Sequence, residues 1–108
     1  MPDVAATFSA LSDATRLAIV ESLIRHGPQN AGQLGSVSAI SAPAISRHLR
    51  VLREAGVIEQ RIDGQRRVYS ARAEALQVIH QWALDHRNFW QAGLDQLDVA
   101  LKEERQNA

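Results

Sequence analysis

The chain has 108 residues, 45% of them apolar and 22% charged, with a formal net charge of zero at pH 7; that is the length and mix of one globular domain, and it excludes a disordered polymer or a fibrous repeat. No cysteine is present, so disulfides, thiolate metal ligands and cysteine nucleophiles are excluded as well. The longest apolar run, residues 17–20, is far short of the roughly 18 residues a bilayer-spanning helix needs, and the first residues lack the basic start and apolar stretch of a secretory leader, so a cytoplasmic protein with no membrane partner is expected.

Val4, Phe8 and Leu11 recur at i, i+4, i+7 and predict a short amphipathic helix over residues 3–11. Asp13 caps a second, which runs to Arg25 with Leu17, Val20, Leu23 and Ile24 on one face and stops at His26-Gly27-Pro28. Asn30-Ala31-Gly32-Gln33 has capping-box spacing and opens a third, short helix toward Val37. Ser41 caps a fourth, with Pro43 in its first turn, a buried stripe of Ile45, Leu49 and Leu52, and Gly56 at its end. Pro43, Ser46, Arg47, Arg50 and Glu54 fall broadly opposite that stripe, with His48 at its edge. Asp63-Gly64 between residues 57–62 and 65–69 is a two-residue hairpin signal of the type I′ kind, which needs positive φ at both turn positions. From residue 73 to 105 only Gly93 breaks the helix-forming composition. Leu76, Ile79, Ala83, His86, Trp90, Gly93, Leu97 and Ala100 alternate spacings of three and four, which predicts one long helix with a heptad seam. Trp82, Phe89, Leu94 and Leu101 widen the stripe, and so much apolar surface on one helix calls for a partner helix.

The zero net charge hides a segregation. Residues 1–40 carry two arginines against three carboxylates, residues 41–72 seven arginines against three, and residues 73–108 three cations against six. The basic middle third therefore coincides with the fourth helix and the hairpin, and its cations are all arginine, the side chain suited to forked contact with phosphate oxygens and guanine edges. Two helices joined by a short turn, the second small at its start and cationic beyond, followed by an arginine-tipped hairpin, make a winged helix-turn-helix. Such a helix fits the major groove of B-form DNA, and the wing reaches flanking phosphates or the minor groove.

The run Leu11-Ser12-Asp13-Ala14-Thr15-Arg16-Leu17, the run from Ser41 through Arg47-His48-Leu49 to Gly56-Val57-Ile58, and Asp63-Gly64-Gln65-Arg66-Arg67-Val68-Tyr69 together resemble the ArsR/SmtB family of bacterial transcriptional repressors over residues 5–101. The resemblance implies a mainly helical fold with a small β wing, a single domain over residues 1–108 whose residues 73–105 serve dimerisation, and a homodimer on a double-stranded, inverted-repeat operator. It implies DNA contacts from Ser41, Ala42, Ala44, Ser46, Arg47, His48 and Arg50, with Arg66 and Arg67 on the wing. It also implies a dimer interface from Phe8, Leu76, Ile79, Trp82, Ala83, His86, Phe89, Trp90, Leu94, Leu97 and Leu101. Where many relatives carry Gln at the second position of the recognition helix this chain has Ala42, which offers a thymine methyl a contact but adenine no paired hydrogen bonds.

The family's metal sites do not match: Gly35 and Val37 stand where one version has a Cys-x-Cys pair, and Asp85 and His86 are adjacent where another has Asp-x-His. No metal and no cofactor are therefore expected, and Arg87-Asn88-Phe89-Trp90 resembles the subgroup without metal ligands, often encoded beside START-like lipid-binding proteins. Trp82, Phe89 and Trp90 read as core, with an apolar pocket for an unidentified small-molecule effector as the other reading. An enzyme is not expected, because Asp85 and His86, about 100° apart on a helix, cannot orient each other as a triad requires. The competing readings are a winged helix used only for protein assembly and a metal-responsive repressor with a non-standard site.

Overall fold

In the computed structural model, which describes residues 3–107, the elements follow in the order α1 (Val4–Leu11), α2 (Ala14–His26), β1 (Gln29–Asn30), α3 (Ala31–Ser38), α4 (Ala42–Glu54), β2 (Ile58–Asp63), β3 (Arg66–Ala71), α5 (Ala73–Asp85) and α6 (Arg87–Gln106). Each of the first four helices starts where a short polar side chain accepts one of the first-turn N–H groups that have no partner inside the helix. Asp3 accepts from Ala6 N at 3.2 Å, Asp13 from Arg16 N at 3.0 Å and Ser41 from Ala44 N at 3.3 Å. Asn30 and Gln33 exchange both bonds of a capping box at 2.9 Å each. Gly27 takes φ +77° just after α2, a conformation that an L side chain resists. Between α3 and α4 that role falls to Ala39, at φ 50° and ψ 40°, the one non-glycine residue with positive φ among those described.

The core lies where α2, α3, α4 and the sheet meet. Ile19, Val20, Leu23, Leu34, Ile45, Leu49, Leu52, Val57, Ile58 and Tyr69 are buried there. The inward stripe of α2 is Ile19, Val20 and Leu23, whereas Leu17 and Ile24 point outward, so the expected face is rotated. Arg16 shares the inward stripe's spacing with Ile19, Val20 and Leu23, and its side chain is tied to α1. The sheet is antiparallel in the order β1-β3-β2, and the two-residue β1 adds a short third strand to the hairpin.

The hairpin turns one residue later than its Asp-Gly signal suggests. Asp63 pairs with Arg66, leaving Gly64 and Gln65 as the loop, and only Gly64 has positive φ, at 64°. A type I′ turn needs two such residues, so the chain uses the glycine-first alternative. The register Ile62↔Arg67 and Gln60↔Tyr69 then puts Arg67 on the same face as the buried Tyr69, and Arg66 on the opposite face.

The C-terminal segment is not one helix. It breaks at His86, which has φ −105° and ψ 17° and separates α5 from α6. In an unbroken helix the carbonyls of Trp82 and Ala83 would accept from backbone N–H groups four residues on. Here the His86 ring Nδ1 lies 2.8 Å from Trp82 O, the Trp90 indole N–H donates to Ala83 O at 3.0 Å, and His86 N bonds Ala83 O in a tightened last turn. A side chain takes the place of the backbone donor at Trp82 O and joins one at Ala83 O, and His86 stacks on Trp82 at 4.4 Å. Beyond the break α6 buries no residue. The radius of gyration is consequently 18.6 Å, against about 13 Å for a compact domain of this length.

Candidate nucleic-acid interface

Helix α4 places Ile45, Leu49 and Leu52 in the core, and this fixes the opposite face outward. Ser46, Arg47, Arg50 and Arg53 are exposed there, and Ser41 and Ala42 are exposed at the helix start. Ala44 is half-buried, beside the capped first turn. A groove runs between α4 and β3, with Ser46, Arg47, Arg50 and Arg53 on the helical side and Arg67 and Tyr69 on the wing side. Four arginines thus line one concavity that no carboxylate lines. Ion pairs form among the described residues between His48 and Asp13, Arg72 and Glu74, and Lys102 and Asp98, and none of them engages Arg47, Arg50, Arg53, Arg66 or Arg67. The groove arginines are thus without an ion-pair partner among the described residues, and each carries the planar fork that suits phosphate or a guanine edge.

Not every expected contact lies in this groove. Arg66 is exposed on the other face of the wing, beside Asp63 in the register. His48 is half-buried and turned toward α2, its Nδ1 3.5 Å from Arg16 Nη1 and 3.9 Å from Asp13 Oδ2. The backbone N–H of Arg16, more than the nearby charges of His48 and Arg16, holds the Asp13 carboxyl below the usual carboxylate range, partly offset by desolvation. Arg53 and Tyr69 line the groove although sequence reading did not single them out. The signal for Arg53 was its spacing: Ser46, Arg50 and Arg53 stand at i, i+4, i+7.

The remaining expected residues occupy a second surface. Phe8 of α1 meets Trp82 of α5 edge to face at 5.4 Å, and Leu76, Trp90, Leu94, Leu97 and Leu101 are exposed on the same two C-terminal helices. Ile79 and Ala83 are half-buried, His86 is exposed, and Phe89 has 84% of its surface in solvent. Trp82 borders an open groove between Val4 and the face of α5 from Glu74 to Asp85, and Phe89 and Trp90 are not among its walls. Among the described residues no three His, Asp or Glu side chains cluster closely enough to hold a metal ion, and no helix is long and apolar enough to cross a membrane.

Comparison with known proteins agrees with this geometry. Residues 13–60, which run from the cap of α2 through the first half of β2, match the family model for bacterial regulatory proteins of the arsR family. The chain is 41% identical to the HTH-type transcriptional regulator Rv2034 of Mycobacterium tuberculosis, over 81% of this chain and 78% of that protein. It is 38% identical to the transcriptional repressor SdpR of Bacillus subtilis, over 75% of this chain and 89% of that protein. Among solved structures, an ArsR-like transcriptional regulator from Rhodococcus sp. RHA1 superposes with a TM-score of 0.71 at 30% identity, over 87% of this chain and 88% of that one. A homodimeric winged helix-turn-helix DNA-binding domain from Mycobacterium bovis superposes with a TM-score of 0.63 at 25% identity, over 78% of this chain and 80% of that one. An arginine-lined helix α4, a wing beside it and these relatives lead to one assignment: the chain belongs to the ArsR family of bacterial regulatory proteins and is a winged helix-turn-helix, DNA-binding transcriptional regulator.

Proposed function

We propose that this protein is a repressor that binds an inverted-repeat operator as a homodimer and blocks transcription by occupying the promoter. The observation that carries the reading is the shared groove of Arg47, Arg50, Arg53 and Arg67, unpaired by any carboxylate. With α4 in the major groove, Ala42 and Ser46 allow its backbone close to the base edges, Arg47 and Arg50 reach bases or adjacent phosphates, and Arg67 reaches the neighbouring backbone. Arg66, on the wing's other face, approaches the duplex from the tip. The apolar faces of α1, α5 and α6 join two copies, so that two α4 helices read half-sites about 34 Å apart. The protein acts in the cytoplasm, without catalytic chemistry, and its DNA occupancy is independent of a metal.

Footprinting of the purified protein on DNA flanking its own gene tests this. The expected pattern is two protected tracts on one face of the duplex, one helical turn apart and related by a dyad. No protected tract on any duplex, or an affinity that stays flat as salt rises, would favour the assembly-module reading.

A further inference from the structure

The motif Leu11-Ser12-Asp13-Ala14-Thr15-Arg16-Leu17 lies outside the arginine groove, yet its two charged residues converge on α4. Arg16 is the hub. Its Nε donates to Ala10 O at 2.6 Å and its Nη2 to Ser9 O at 3.4 Å, both carbonyls of the last turn of α1; Ser9 O also accepts from the Ser12 N–H at 3.2 Å. Its third arm, Nη1, lies 3.5 Å from Nδ1 of His48. A guanidinium can only donate, so Nδ1 of a neutral His48 must accept, which places the ring proton on Nε2. Asp13 completes the arrangement: Oδ2 accepts from Arg16 N at 3.0 Å and stands 3.9 Å from the same Nδ1. The ring nitrogen thus stands between the Arg16 guanidinium and the Asp13 carboxylate.

We infer that Arg16 and His48 form a clasp that sets the rotation of α4 against α1 and α2, making His48 a positioning residue for DNA binding and not a contact to DNA. The inference rests on the reading of α4 as the helix in the major groove. His48 follows Arg47 directly, about 100° around the helix, so one residue faces the clasp while the other faces the groove. With side chains roughly 5–6 Å from the axis, a 10° turn of α4 displaces the groove face by about 1 Å, enough to spoil a forked arginine contact. The clasp also adjoins the C-terminal helices, because Phe8, next to Ser9 and Ala10 in the same turn of α1, packs on Trp82 of α5.

The test compares wild type, His48→Ala and His48→Asn, whose side-chain oxygen can stand near the Nδ1 position. Affinity for the footprinted duplex is measured by fluorescence anisotropy over a range of KCl, with active protein counted by stoichiometric titration and dimerisation followed by sedimentation. His48→Ala should bind about tenfold more weakly, the scale of one hydrogen bond to a charged group. Its salt slope should equal that of wild type, dimerisation should be unchanged, and His48→Asn should recover most of the affinity. A role confined to fold stability would lower the active fraction but not the affinity of what remains, and that result overturns the inference. So does a His48→Ala slope shallower by about two, the sign that each protomer has given up one phosphate, or a His48→Ala protein that binds like wild type. Wild-type protein that binds no duplex removes the major-groove reading itself, an outcome distinct from wild type binding normally while His48→Ala is indifferent.

Discussion

Removing the wing arginine from the groove should change how binding responds to salt as much as how tight it is. Each protomer presents Arg47, Arg50, Arg53 and Arg67 to the same concavity, so a dimer offers eight guanidiniums. If each neutralises one phosphate, the slope of log K against log salt approaches about −7, and raising KCl from 50 to 200 mM weakens binding by roughly four decades. Arg67→Ala deletes two of those guanidiniums per dimer and should bring the slope to about −5. Because Arg67 reads backbone in this scheme, the loss should be uniform across operator variants, whereas Arg47→Ala should also relax discrimination at the bases it touches. Anisotropy titrations of a labelled duplex at five or six salt concentrations measure the slope directly. An Arg67→Ala protein with the wild-type slope would refute the placement of the wing on phosphate, whatever its affinity.

Three further outcomes follow from the packing. Ala39→Gly should stabilise the fold by about 0.5 kcal/mol in urea unfolding, since relief of the left-handed backbone, worth about 1–2 kcal/mol, exceeds the extra chain entropy of glycine; a loss of stability would show that the Cβ of Ala39 makes a contact that matters. Leu52→Ala removes a side chain with no solvent exposure on the inner face of α4 and should cost about 3 kcal/mol by the same assay, against the 2–5 kcal/mol typical of such cavities. The Asp13 carboxyl, held down chiefly by the Arg16 N–H, ionises more readily folded than unfolded, so it stabilises the fold above the unfolded carboxylate pKa and ceases to do so as pH falls through its lower folded value; Asp13→Asn should therefore flatten the acid limb of a plot of Tm against pH, and an unchanged limb would contradict this.

What was legible in the sequence is what local chemistry decides. Ser41, Pro43 and the Ile45, Leu49, Leu52 stripe delimit α4 and its outward face without reference to the rest of the chain, and Asp63-Gly64 marks a hairpin even though the register settles one residue along. His48 sat on the boundary of the wheel, and its inward turn depends on Arg16, 32 residues earlier, a partner that periodicity does not reveal. The break at His86 was hidden for a related reason. No glycine or proline marks it; the bend is built from a ring and an indole that bond two backbone carbonyls, and the heptad pattern runs through it undisturbed. Likewise the outward Leu17 and Ile24 carry no sign of their exposure, since apolar periodicity defines a stripe but not which element will cover it.

That pattern bears on α6. The helix has 20 residues, none buried; beyond the Trp90 indole bond to Ala83 O at its start, its local support is an exposed Lys102–Asp98 pair at 3.1 Å and a Gln91–Asp95 bond at 3.1 Å, the latter two worth a few tenths of a kcal/mol each. Gly93 and the β-branched Val99 weaken it further, and an isolated helix of this composition is marginal in water. Its persistence therefore requires a surface against Trp90, Leu94, Leu97 and Leu101, and a second copy of the chain offers the same apolar stripe. Helix and dimer should then form together. Leu97→Glu, which puts a charge in the centre of that stripe, should give a monomer by sedimentation and lose roughly a quarter of the helical circular-dichroism signal, the share that α6 contributes. DNA affinity should fall with it, because single half-sites are then bound without the partner's help. A Leu97→Glu protein that stayed dimeric with its helical signal intact would show that α6 is held by something other than its mate, and the spacing of the two recognition helices would need a different origin.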